Sequence, residues 1–153
     1  MYEPNGKFKE PRCFPSNPDL VVVDSESIAQ APVRYLVAGI GDAMSTYYEA
    51  RCCFENEKAT NMVGARPTLT ALALGELCCK ILFESGIKAR EAVLKQQVTP
   101  DLEKVIEANT LLSGVGFESG GLACAHAIAQ GLTASKHIEK NFMHGEMVAA
   151  GFV

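Results

Sequence analysis

Ser113-Gly114-Val115-Gly116-Phe117-Glu118-Ser119-Gly120-Gly121 reads as a glycine joint with helical text on either side. No Gly-Lys-Ser/Thr follows, so the stretch is not a phosphate-binding loop. Before it, Thr99-Pro100-Asp101 has the form of a helix cap. Leu102, Val105, Ile106, Leu111 and Leu112 then recur at helical spacing as far as Gly114. After it, Glu118 to Ala134 is a second helix, rich in Gly and Ala, that carries His126. The joint leaves backbone exposed and sets one aromatic, Phe117, beside that histidine's neighbourhood.

Working outward, the text stays helical. Arg66-Pro67-Thr68 opens a long helix with Pro at its first position and Gly86 as its stop, and Lys88 to Gln97 forms a short amphipathic one. Pro32 opens a short helix, Val33 to Ala38, that halts at Gly39-Ile40-Gly41. Asp42 then begins another through Arg51. His144 starts a last helix that runs into the apolar Gly151-Phe152-Val153. Only Leu20-Val21-Val22-Val23-Asp24 departs from this, a β-branched apolar run of the kind buried on both faces of a parallel sheet. The expectation is a mainly α chain: a strand remnant over 1–24, then a helical domain over 25–153 that continues past Val153. Both ends suggest a piece of a larger protein.

The chain has 153 residues, 48% hydrophobic and 21% charged, with a net charge of −4 and no basic run. That composition is globular and argues against nucleic acid or an anionic membrane as partner, since both are held by clustered Lys and Arg. No apolar run reaches membrane-spanning length, and the start lacks a signal-peptide pattern. Of the six cysteines, four stand as the adjacent pairs Cys52-Cys53 and Cys78-Cys79 inside helical text, where neighbours point apart. They read as reduced, small hydrophobes of a cytoplasmic protein.

Three residues stand out as candidate ligands. Asp42 follows a glycine pair; as a first-turn acid it stabilises a helix, and the same position aims a carboxylate outward. His126 lies among alanines, either as a core histidine or as a ligand with a backbone carbonyl on its other nitrogen. His144 precedes Gly145-Glu146 and is either a surface residue or a ligand. Two imidazoles and a carboxylate would suit a metal with an open position, zinc or ferrous iron alike. His137, in the polar Ser135-Lys136-His137-Ile138-Glu139-Lys140, reads as solvated. Gly39-Ile40-Gly41-Asp42-Ala43-Met44 is a poor dinucleotide fingerprint: the third glycine is absent and no second strand follows.

Longer words carry a resemblance. Asn17-Pro18-Asp19-Leu20-Val21-Val22-Val23-Asp24, Ala38-Gly39-Ile40-Gly41-Asp42-Ala43, the block Glu107 to Ala123, Ala125-His126-Ala127-Ile128 and His144-Gly145-Glu146 together resemble the zinc-dependent glycerol dehydrogenases. These belong to the iron-containing alcohol dehydrogenase superfamily. The resemblance runs in order over essentially the whole chain and corresponds to roughly the middle two-fifths of a full enzyme. It implies the helical metal-binding domain of the dehydroquinate synthase-like fold, preceded by an α/β domain that binds NAD. It further implies Asp42, His126 and His144 as metal ligands that also meet the substrate, Phe117 as a wall of the substrate pocket, and Tyr2 on the nucleotide side of the cleft. Thr46 stands where iron-type members carry another histidine, which favours zinc. Ala129 and Gln130 depart from the family's usual histidine and asparagine.

The implied activity is NAD-dependent oxidation of glycerol to dihydroxyacetone, with the metal as Lewis acid on the substrate hydroxyl, in a cytoplasmic enzyme that is a homo-oligomer at full length. The competing expectation is a catalytically silent helical fragment limited to metal binding or partner contacts. On either expectation the isolated chain does not turn over NAD.

Overall fold

The computed structural model describes Phe14 and residues 16–153; Tyr2, expected near the nucleotide, lies outside them. The order is α1 (Ser25–Gln30), α2 (Val33–Glu55), α3 (Leu69–Leu94), α4 (Pro100–Glu107), a π-helical segment (Ala108–Leu112), α5 (Ser113–Gly120), α6 (Cys124–Leu132), α7 (Lys136–Asn141) and α8 (His144–Phe152). No strand occurs among the described residues. Leu20, Val21 and Val22 are exposed and unpaired, because a strand exists only as part of a ladder and the described residues offer none.

Side-chain caps start several helices. Asp24 accepts from the Glu26 N–H, Thr68 from Ala71, Thr99 from Leu102 and Ser135 from Ile138. Thr99-Pro100 caps α4 as its sequence demands, and Thr68, not Pro67, caps α3. The main core lies between α2, α3 and α4 with the π segment. Leu36, Leu82, Val93, Leu102, Val105, Ile106 and Leu112 fill it, around the thiol of Cys78. Leu102 and Val105 are wholly enclosed, each worth about 1.5–3 kcal/mol of burial. Burial pushes the Cys78 thiol up to about 12, and its Sγ donates to the Ala108 carbonyl where the π segment starts. Cys52, Cys53, Cys78, Cys79 and Cys124 are all free thiols. A second, smaller core joins α6 to α8 through Ala125, Ala129, Met147 and Val148.

Three expected helix boundaries fall elsewhere. Gly39 and Gly41 do not stop a helix: α2 runs through both, so Asp42 is a mid-helix residue, not a cap. These glycines make room. A β-carbon at Gly41 would stand 2.9 Å from the Ala149 Cβ, and one at Gly39 would stand 2.9 Å from the Asn109 side-chain nitrogen. Gly86 likewise lies inside α3, which absorbs the amphipathic segment expected as a separate helix and ends only at Leu94. The glycine joint is shorter and later than its text suggests. Ser113–Gly120 is helical and continues α4 through the π turn, and the chain breaks at Gly121, whose φ of 96° favours glycine. His137 sits exposed on α7 instead of in a loop.

Candidate metal centre

Asp42, His126 and His144 come together from α2, α6 and α8, with their ligand atoms all within 4.8 Å of one another. His126 Nε2 lies 3.3 Å from one Asp42 oxygen, and His144 Nε2 lies 3.8 Å from the other. The two rings are 5.3 Å apart, centre to centre. Bonds of about 2.0–2.1 Å around a tetrahedral zinc would separate its donors by roughly 3.3 Å, so the His126–Asp42 spacing already suits such an ion, and the His144 side would have to close in on it. One carboxylate and two imidazoles leave a position open for an oxygen ligand.

Each candidate ligand is held by packing one can name. Asp42 sits two helical turns before Glu49 on α2, and Ser45, Thr46 and Glu49 share its side of the helix. His144 is the first residue of α8, where Glu146 accepts from the Met143 N–H at 2.9 Å. Arg34 of α2 grips the same Glu146 through two hydrogen bonds of 2.6 Å and also donates to the Asn141 carbonyl. The Arg34 guanidinium, then the Met143 N–H, hold the Glu146 carboxyl down at about 2. Below this pair α8 presses on α2 so closely that a β-carbon at Gly145 would collide with the Ala38 carbonyl.

His126 lies in the first turn of α6, and its second nitrogen does not find the backbone carbonyl expected from sequence. Nδ1 meets the Glu49 carboxylate at 2.5 Å. The other Glu49 oxygen accepts from the backbone N–H groups of Ala123 at 2.8 Å and His126 at 3.1 Å. Burial, the largest single influence on the imidazole, pushes it down, but hydrogen bonds to Asp42 and Glu49 outweigh it and raise His126 to about 9. Burial likewise acts to raise Glu49, and the donors from His126 and Ala123 bring it below its usual value. Glu49 is only 3% exposed. Sequence reading passed over it because a lone acid in Tyr48-Glu49-Ala50 looks like any solvated helix residue. The available signal was the polar stripe Asp42, Ser45, Thr46, Glu49 at helical spacing, flanked by Ala43 and Ala50.

The three candidate ligands line one cavity of about 430 Å³, in the lower part of the range usual for small-molecule sites. Its other walls are Thr46, Met62, Asn109, Ser113, Gly114, Phe117, Leu122, Ala129, Gln130 and Thr133. Thr46 and Ser113 hydrogen-bond to each other at 2.9 Å. Phe117, singled out from the glycine joint, therefore faces the same space as the ligands, and so do Ala129 and Gln130. The arrangement can hold a divalent cation at one end of a pocket that is apolar at Met62, Phe117 and Leu122 and hydrogen-bonding at Thr46, Asn109 and Ser113.

No family model matches the chain. It is similar to the glycerol dehydrogenase of Thermotoga maritima, 53% identical over 151 residues, which is 99% of this chain and 41% of that protein. Among solved structures, a probable glycerol dehydrogenase from Sinorhizobium meliloti 1021 superposes with a TM-score of 0.92 at 45% identity, over 99% of this chain and 42% of that one. The glycerol dehydrogenase of Schizosaccharomyces pombe superposes with a TM-score of 0.94 at 39% identity, over 99% and 38%. The chain thus spans about two-fifths of the length of the relatives it matches.

Proposed function

The chain belongs to the glycerol dehydrogenase family, and from that premise we propose that it forms the metal- and polyol-holding part of an enzyme converting glycerol and NAD⁺ to dihydroxyacetone, NADH and a proton. The observation that carries this reading is the convergence of Asp42, His126 and His144 at the wall of a cavity. Asp42 supplies the anionic ligand, and the two imidazoles complete the set. Zinc, when bound there, supplies Lewis acidity toward a substrate hydroxyl oxygen.

The remaining work falls to the chain's own residues. Asp42 and His126 fix where the reacting hydroxyl lies, since both are anchored in helices. Met62, Phe117 and Leu122 exclude water from the carbon skeleton. The Thr46–Ser113 pair and Asn109 offer hydrogen bonds to the hydroxyls that do not react. NAD is a different case: the described residues contain no strand and so no βαβ nucleotide unit. A homo-oligomeric, cytoplasmic enzyme accords with this reading, and no helix of the described chain is long and apolar enough to cross a membrane.

Two measurements test the proposal. Zinc affinity, read by competition with a chromophoric chelator, should show one site per chain. Asp42→Ala and His144→Ala should weaken it by more than the roughly 10–100-fold that loss of an outer hydrogen-bond partner costs. In a chimera where this chain replaces the matching segment of the Thermotoga maritima relative, glycerol-dependent NADH formation should persist and should vanish with Asp42→Ala. Equal zinc content in wild type and Asp42→Ala, or an active Asp42→Ala chimera, would sink it.

A further inference from the structure

We infer that Glu49 is the positioning residue of this centre: it fixes the His126 ring with Nε2 toward Asp42 and His144, and it fastens α6, which carries that ring, onto α2. The inference rests on the metal reading above for its consequence, and on hydrogen-bond geometry for its substance. The Glu49 carboxylate divides its work between its oxygens. Oε1 accepts two backbone N–H groups, from Ala123 and His126, that begin α6 and have no partner within it. Oε2 faces His126 Nδ1 at 2.5 Å and receives the Ser45 hydroxyl at 3.4 Å.

Two features make this arrangement more than a satisfied buried acid. Ala123 offers no side chain to cap α6, so a residue 74 positions away in sequence does so instead. The same carboxylate stands on the helix that carries Asp42, so one rigid element presents both a ligand and the group that aims its neighbour. A carboxylate can only accept, so Nδ1 must keep its proton and Nε2 is the nitrogen free to meet a cation. Hydrogen-bonded partners of this kind typically change metal affinity by about 10–100-fold.

The division of labour gives a selective test in Glu49→Gln. The amide keeps one carbonyl oxygen for the two backbone N–H groups and places an NH₂ where Oε2 faces Nδ1. The cap survives, and the ring loses its acceptor. We expect near-native helix content by circular dichroism and zinc affinity lower by about 10–100-fold in chelator competition. The metal-free chain supplies a second readout. A protected, hydrogen-bonded Nδ1 proton of His126 should be visible by ¹⁵N-resolved NMR in wild type and lost in Glu49→Gln. Unchanged zinc affinity in the variant would overturn the inference, as would an unchanged Nδ1 proton. Should wild type bind no zinc, the metal reading fails and the Nδ1 proton alone decides whether Glu49 holds the ring.

Discussion

At the scale of single residues, the space beside a backbone matters as much as the chemistry of a side chain. Gly145 adjoins His144, and any β-carbon there meets the Ala38 carbonyl, which belongs to the interior of α2 and cannot yield. Gly145→Ala should therefore cost about 1–3 kcal/mol as overpacking. A fall in Tm of at least about 2 °C would follow for a chain this size, with weaker zinc binding as His144 is carried off with α8. Gly131→Ala is the control: nothing lies within 4 Å of its added methyl, and α6 should be unharmed or slightly firmer. Calorimetry on the two variants checks both, and equal Tm values would refute the steric argument. The two histidines that converge on Asp42 could be singled out in the sequence because only three exist and two stand in small-residue text. Glu49 was not, since its distinction is burial, and burial depends on α6 folding across it.

At the scale of elements, the caps were readable and the glycines were not. Thr99-Pro100-Asp101 announces α4 through local chemistry that needs no partner. Gly39, Gly41 and Gly86 look like stops in one dimension, yet α2 and α3 run through them. At Gly39 and Gly41 the reason stands opposite, in Asn109 and Ala149, and no local pattern reveals it. The Leu20–Val23 run stands exposed and without a ladder for the matching reason, because a strand's pairing is supplied by other residues and the described ones offer none. The first helix gives a pH prediction. Hydrogen bonds from the Ser27 hydroxyl, then from the Glu26 and Ser27 N–H groups, hold the Asp24 carboxyl below the usual aspartate range. A depressed carboxylate stabilises the fold above its unfolded value and loses that contribution as pH falls through the folded one. Amide protection in α1, taken relative to intrinsic exchange at each pH, should therefore fall in acid below the usual aspartate range, and Asp24→Asn should flatten that dependence. An identical acid profile in the variant would show that the cap does not govern α1.

At the scale of the whole molecule, the two cores are unequal. The larger binds α2, α3 and α4 around Leu102 and Val105, whereas the smaller rests on a few side chains between α6 and α8. Local opening follows the thinner packing. Amides of α6 should exchange with deuterium well before those of α3 around Leu82 and Ala89, and zinc should slow the former selectively. Earlier exchange in α3 would contradict this. The candidate ligands straddle that divide, with Asp42 on the heavier part and His126 and His144 on the lighter. Because α2 is unbroken from Val33 to Glu55, Asp42 and Glu49 are spaced by a rigid ruler of two turns, about 10 Å of rise. Inserting or deleting one residue between them would swing Glu49 by about 100° about the axis and leave every side chain named here chemically intact. The count of positions separating these acids is thus itself a requirement of the centre, independent of the identity of either residue.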